Sequence, residues 1–227
     1  MDVDATTFER QLDMLGAHDV VSLDTALDRL DRSDTRPCVV LTFDDGFADV
    51  YEHAWPRLRD RGLPFTVYVA GGLIGARMRW EGSAGSSQGA PALTWDQLAE
   101  MHGSGLCTIG NHTFSHALPH DLDAAELDRC SETVEAHLGV RPRHFAWTWG
   151  EVVDAARPLV APRFRSAVSG NVGRNQPDQD RLALNRIPVR RTDPLAFFRA
   201  KLDGDLLAER AYARVVAVAK RARGATT

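Results

Sequence analysis

Two imidazoles four residues apart, His112 and His116, and two adjacent carboxylates, Asp44 and Asp45, are the side chains here whose type and spacing suit metal chemistry. Two neutral imidazoles and one carboxylate make a three-ligand set for a divalent cation, with coordination positions left for water and substrate. Zinc is the first candidate, and the same donors accept cobalt, nickel or manganese. Each half alone is ambiguous. His-x-x-x-His also arises as two surface histidines, and Asp44-Asp45-Gly46 is also a good turn. A mononuclear iron oxygenase would need a His-x-Asp or His-x-Glu pair, which is missing around His112.

Such groups must be delivered to one place by the elements around them. Pro37 to Phe43 is a nearly continuous apolar and β-branched run, which predicts a strand buried on both faces that stops at Asp44. A helix over 48–61 and a second strand over 65–70 follow. Thr94 reads as the N-cap of a helix to His102, ahead of a short strand over 107–109 that ends in Gly110-Asn111-His112. A long helix fits 123–138 with Gly139 as its stop, and Phe145-Ala146-Trp147 runs into Thr148-Trp149-Gly150. Upstream, Phe8, Leu12 and Leu15 have helical spacing, a strand fits 20–23 and a helix 24–30. Downstream, strands fit 165–168 and 183–189, and helices fit 194–202 and 206–221. Helix and strand alternate, so the class is α/β with largely parallel strands. In such folds functional groups gather at the C-terminal ends of strands, which is where both motifs and Trp147-Thr148-Trp149-Gly150 fall. Adjacent strand residues face opposite ways, so Asp44 and Asp45 can share a site only if the strand breaks there, and Gly46 supplies the freedom.

A chain of 227 residues, 44% hydrophobic and 26% charged, suits one domain over 1–227. Residues 81–92 are small and turn-prone and predict a mobile loop within it. The net charge of −4 and the single short basic run at Lys220, Arg221 and Arg223 argue against a nucleic-acid partner. No apolar stretch approaches the roughly 20 residues of a membrane span. The acidic start Met1-Asp2-Val3-Asp4 is unlike a secretory signal, so the sequence as it stands predicts a cytoplasmic protein. Cys38, Cys107 and Cys130 read as reduced thiols without a role.

Taken together the motifs resemble a family. Thr42-Phe43-Asp44-Asp45-Gly46 and His112-Thr113-Phe114-Ser115-His116 resemble the first two motifs of the polysaccharide deacetylases, the NodB-homology group or carbohydrate esterase family 4. Phe145-Ala146-Trp147-Thr148-Trp149-Gly150 is similar to the Phe-Ala-Tyr-Pro-Tyr-Gly motif of one branch. The resemblance is clearest over 8–202. It implies a distorted (β/α)7–8 barrel, with Asp45, His112 and His116 as metal ligands, Asp44 as general base and the Trp149 N–H as oxyanion donor. The implied activity is hydrolysis of an N-acetyl group on an amino sugar in a polysaccharide, oligosaccharide or glycosylated metabolite, by a metal-activated water. Trp147 and Trp149 would offer faces to the sugar, and Trp80 and Trp95, flanking the loop, either join the groove or anchor the loop.

The match also departs from the family pattern. An Arg that braces the base in most members is replaced by Ala146, and Arg186, on a strand, is the candidate substitute. No histidine follows His144 and none precedes Phe8, so the usual general acid is missing. The start of the true chain lying upstream, another proton donor such as His120, or reduced activity would each account for the gap. The alternative to an enzyme is a metal- and carbohydrate-binding protein without turnover.

Overall fold

The computed structural model describes residues 4–83 and 88–212. Its centre is a six-stranded, all-parallel sheet whose strands lie side by side in chain order. The strands are β1 (Leu41–Phe43), β2 (Phe65–Val69), β3 (Cys107–Asn111), β4 (His144–Ala146), β5 (Ser166–Val172) and β6 (Leu184–Arg186). The helices are α1 (Ala5–Leu15), α2 (Leu23–Asp31), α3 (Trp55–Asp60), α4 (Trp95–Gly103), α5 (Ala124–Leu138), α6 (Arg157–Val160) and α7 (Leu195–Asp203). The sheet curls into a half-barrel with β1 and β6 as its edges. The expected seven or eight strands therefore become six among the described residues. The strand expected at 20–23 is reduced to one parallel bridge, Val20 to Val39. Ser22 ends it, because its hydroxyl accepts from the Thr25 N–H and caps α2.

Strand alternation sorts the side chains into two layers. Val40, Tyr68, Ala146, Val168 and Leu184 share a cluster with Leu23 and Leu27 of α2, which therefore fills the concave side of the sheet. Phe65, Val67, Val69, Cys107 and Ile109 point the other way, onto α1, α3, α4 and α5 through Leu12, Trp55, Leu58, Leu98, Met101 and Val134. Phe145, Trp147 and Ala167 continue that outer layer against Leu127, Val160 and Phe164. β1 is only half-buried rather than covered on both faces, as befits a sheet edge.

Several boundaries carry their reasons in the sequence. Thr94 and Gln97 form a reciprocal capping box at the start of α4. α5 starts at the Asp123 cap and stops at Gly139 in the left-handed region. The helix expected over 48–61 opens with a π turn, Val50–Ala54, before α3. The final helix is described over 207–212, and the rest of its expected span lies outside the described residues. Residues 84–87 of the expected mobile loop also lie outside them, while its flank is tied down by bridges from Pro91 to Arg77 and from Ala92 to Phe47. Among the described residues no helix is long and apolar enough to cross a membrane.

Candidate active site and metal centre

At the C-terminal end of β1 the chain turns so sharply that Asp45 takes a φ of 71° and Gly46 a φ of 90°. The Gly46 N–H donates to the Asp44 carbonyl at 2.8 Å, closing a three-residue turn centred on Asp45. The break expected at Gly46 thus begins one residue earlier, and it swings both carboxylates to the same side. Among the described residues five non-glycine residues have positive φ: Ser33, Asp45, Thr113, His116 and Trp149. All but Ser33 sit in the three motifs, and strain concentrated in this way marks a functional site.

The histidine motif follows β3 and is pinned from α5. Glu126, three residues past the Asp123 cap, accepts the Phe114 and Ser115 N–H groups on one oxygen at 3.0 and 2.8 Å. Asn111 accepts the Thr113 N–H and donates to the Leu127 carbonyl and the Ser131 hydroxyl. Neither Glu126 nor Asn111 was singled out as a functional residue from the sequence. The acid at the third helical position after a cap was the only available signal, and it points to helix capping rather than to a motif.

These supports bring His112 Nε2 and His116 Nε2 to 3.2 and 3.3 Å from the same Asp45 oxygen. One ligand atom from each of the three lies within 4.8 Å of the others, so the trio could hold a metal ion. Both imidazoles are buried. Burial alone would raise the Asp45 carboxyl, but hydrogen bonding and charge from His112 and His116 outweigh it and hold it well below the usual carboxylate range. Burial would lower His112, yet Asp45 and the charge of Asp44 prevail and raise it. His112 Nδ1 meets the Ala146 carbonyl at 2.8 Å.

Asp44 stands beside this trio and is held from the opposite edge of the sheet. Arg186 on β6 donates to Asp44 Oδ1 at 2.7 Å and to the Ser169 carbonyl at 3.0 Å, spanning the seam of the half-barrel. Burial acts to lower the Arg186 guanidinium, but Asp44 more than offsets it, so the side chain stays cationic.

A pocket of about 430 Å³ opens over these groups, with Asp44, Asp45, Trp80, His112, His116 and Trp149 in its wall. Trp149 is 47% exposed, on a turn whose Gly150 lies so close to Gly170 that an added Cβ would come within 2.8 Å of its Cα. Trp147 corrects the expectation of a second platform. It lines the pocket, but at 1% exposure its ring is packed against Phe145 and its Nε1 donates to the Leu182 carbonyl. Trp80 joins the groove, with its ring 4.4 Å from that of His116, whereas Trp95 stacks on His137 away from the pocket. His120 does not line the pocket; it is exposed and pairs with Asp121 at 3.5 Å.

The sequence profile of the polysaccharide deacetylase family matches residues 31–161, more than half of the chain. The chain belongs to the polysaccharide deacetylase family. Among solved structures, that of IcaB from Ammonifex degensii is similar with a TM-score of 0.76 and 29% identity, over 88% of this chain and 89% of that one. The Streptococcus pyogenes deacetylase PplD in complex with acetate shares the fold at a TM-score of 0.72 and 24% identity, over 86% and 85% of the two chains. YxkH of Bacillus subtilis (strain 168) is 33% identical over 86 residues, which are 38% of this chain and 26% of that relative. The chain thus aligns with about a quarter of that relative's length, and within the deacetylase fold all three motifs converge on one pocket.

Proposed function

We propose that this polysaccharide deacetylase-family protein hydrolyses the acetamide of an N-acetylated amino sugar, in a polysaccharide, oligosaccharide or glycosylated metabolite. A divalent cation would be held by Asp45, His112 and His116. The observation that carries the proposal is the approach of two imidazole nitrogens to one Asp45 oxygen at 3.2 and 3.3 Å. A charge-assisted hydrogen bond would be shorter, about 2.7–2.9 Å. Two ligands of a tetrahedral zinc, each about 2.0–2.1 Å from the ion, lie about 3.3–3.4 Å apart. The spacing therefore suits a shared cation better than a pair of ion pairs.

Zinc, or cobalt, nickel or manganese with the same donors, would polarise the acetyl carbonyl and lower the pKa of water in the site. The chain's own residues supply the rest. Arg186 occupies Oδ1 of Asp44, which leaves Oδ2 to take the proton of the attacking water. The Trp149 N–H is the proposed donor to the developing oxyanion, and the exposed Trp149 ring offers a flat face to the sugar. Among the described residues no titratable side chain besides Asp44 and the three ligands lines the pocket. The leaving amine accordingly takes its proton from Asp44, once that group has accepted one, or from solvent.

The test is acetate release from N-acetylated chito-oligosaccharides by the zinc-loaded protein. Asp44→Asn is expected to keep its zinc while turnover falls by roughly 10² to 10⁴. A zinc-loaded wild type that binds such sugars and releases no acetate would leave the binding protein without turnover as the better description.

A further inference from the structure

We propose that Trp80 is a positioning residue of the metal centre, holding His116 in its ligating orientation by packing where His112 is held by a hydrogen bond. The inference rests on the reading of Asp45, His112 and His116 as one cation site.

The two imidazoles are supported unequally. Each turns Nε2 towards Asp45; with a cation between them, Nε2 would be the ligating nitrogen and the neutral ring would carry its proton on Nδ1. A ligating histidine ordinarily passes that proton to an outer acceptor, which fixes both the tautomer and the ring orientation. His112 does so, with the Ala146 carbonyl 2.8 Å from its Nδ1. His116 does not. Its Nδ1 is buried without a partner among the described residues, although the side chain is only 6% exposed. The backbone offers little help, since His116 itself sits at a φ of 58°.

What surrounds the ring instead is aromatic. The Trp80 indole lies over it at 4.4 Å between centroids and a tilt of 35°, and Trp149 meets it edge-on at 5.6 Å and 68°. His112 closes a further side at 5.0 Å. Rotation of the imidazole out of its ligating plane would drive it into the Trp80 ring. Trp80 is itself backed by Phe47 at 6.1 Å. Two residues on, Gly82 passes so close to Trp149 that an added Cβ would come within 2.9 Å of its ring. The segment 80–83 therefore forms one wall of the pocket and at the same time holds the ligand that has no hydrogen bond of its own.

The decisive measurement is zinc affinity of the metal-free full chain by chelator competition, together with the visible spectrum of the cobalt-substituted protein, for wild type, Trp80→Ala, Trp80→Leu, Trp80→Phe and Trp95→Ala. Trp80→Ala and Trp80→Leu are expected to bind zinc about 10-fold more weakly and to shift the cobalt bands, with Trp80→Phe restored to within about threefold of wild type. Leu keeps apolar bulk without a flat face, so it carries the test if Trp80→Ala does not fold. Trp95→Ala, remote from the pocket, is expected to match wild type. Wild-type zinc affinity and an unchanged cobalt spectrum in Trp80→Ala or Trp80→Leu would overturn the proposal, as would an equal loss in Trp95→Ala. A wild type that binds no zinc would overturn the cation site itself, a result distinct from either.

Discussion

Asp44 and Asp45 are neighbours in the chain with different partners, and that difference supports the division of work proposed for them. Asp45 faces two imidazoles, whereas Asp44 faces the guanidinium of Arg186. Replacing Arg186 by Gln keeps a donor but removes the charge, leaving the Asp44 carboxylate without its cation. Turnover is expected to fall roughly 10- to 100-fold while zinc content stays at wild-type level, as steady-state kinetics beside elemental analysis would show. If zinc is lost instead, Arg186 supports the ligands rather than the base. The Asp-Asp and His-x-x-x-His groups were legible in the sequence because few residue types can do their chemistry. The roles of Trp147 and Trp149 were not, because residues two apart share a face only while a strand continues. β4 stops at Ala146, and the turn at Trp149, with its φ of 60°, leaves the second indole exposed at the pocket and the first buried in its lining.

At the scale of elements, the site is three strand ends and one helix start. Glu126 at the beginning of α5 ties down two N–H groups of the histidine motif, so Glu126→Ala leaves both without their acceptor. A stability loss of about 1–3 kcal/mol is expected from urea unfolding, accompanied by weaker zinc binding. Unchanged zinc affinity would mean that the left-handed residues of the motif hold it unaided. Gly150→Ala tests another joint. A Cβ there has no room against Gly170, so the Trp149 turn must move, and KM for an acetylated oligosaccharide is expected to rise more than kcat falls. Alternation and capping made most elements legible, including α4 with its capping box and α5 with its glycine stop. Strand count was less legible. Val20 to Leu23 looks like a strand by composition, but a serine that can cap a helix wins locally, and sequence alone does not reveal which outcome the sheet edge will take.

At the scale of the whole molecule, two of the buried polar clusters among the described residues lie away from the pocket. Lys201, almost fully buried, contacts Asp193 at 2.6 Å and Glu209 at 2.8 Å, joining α7 to the helix over 207–212. Lys201→Met leaves Asp193 without its cation, while Glu209 keeps Arg190 at 2.6 Å, and a loss of roughly 3 kcal/mol in unfolding free energy is expected. His144 lies on the concave side of the sheet, its Nδ1 2.9 Å from the Ser166 hydroxyl. Burial is the chief cause that lowers its pKa, against the pull of Asp24. The unfolded chain therefore takes up this proton near pH 6.5, while the folded protein takes it up only at lower pH. Between those values the unfolded state binds more protons, so stability falls as the pH drops below about 6.5. His144→Asn is expected to flatten that part of the pH profile in urea unfolding, and an unchanged slope would assign it to other groups.

The convergence of Asp45, His112 and His116 on one ion is open to direct measurement. Elemental analysis of extensively dialysed, zinc-exposed protein should give about one zinc per chain for wild type and close to none for Asp45→Ala or His112→Ala. A zinc-free wild type, or a full zinc complement in both variants, would contradict the site.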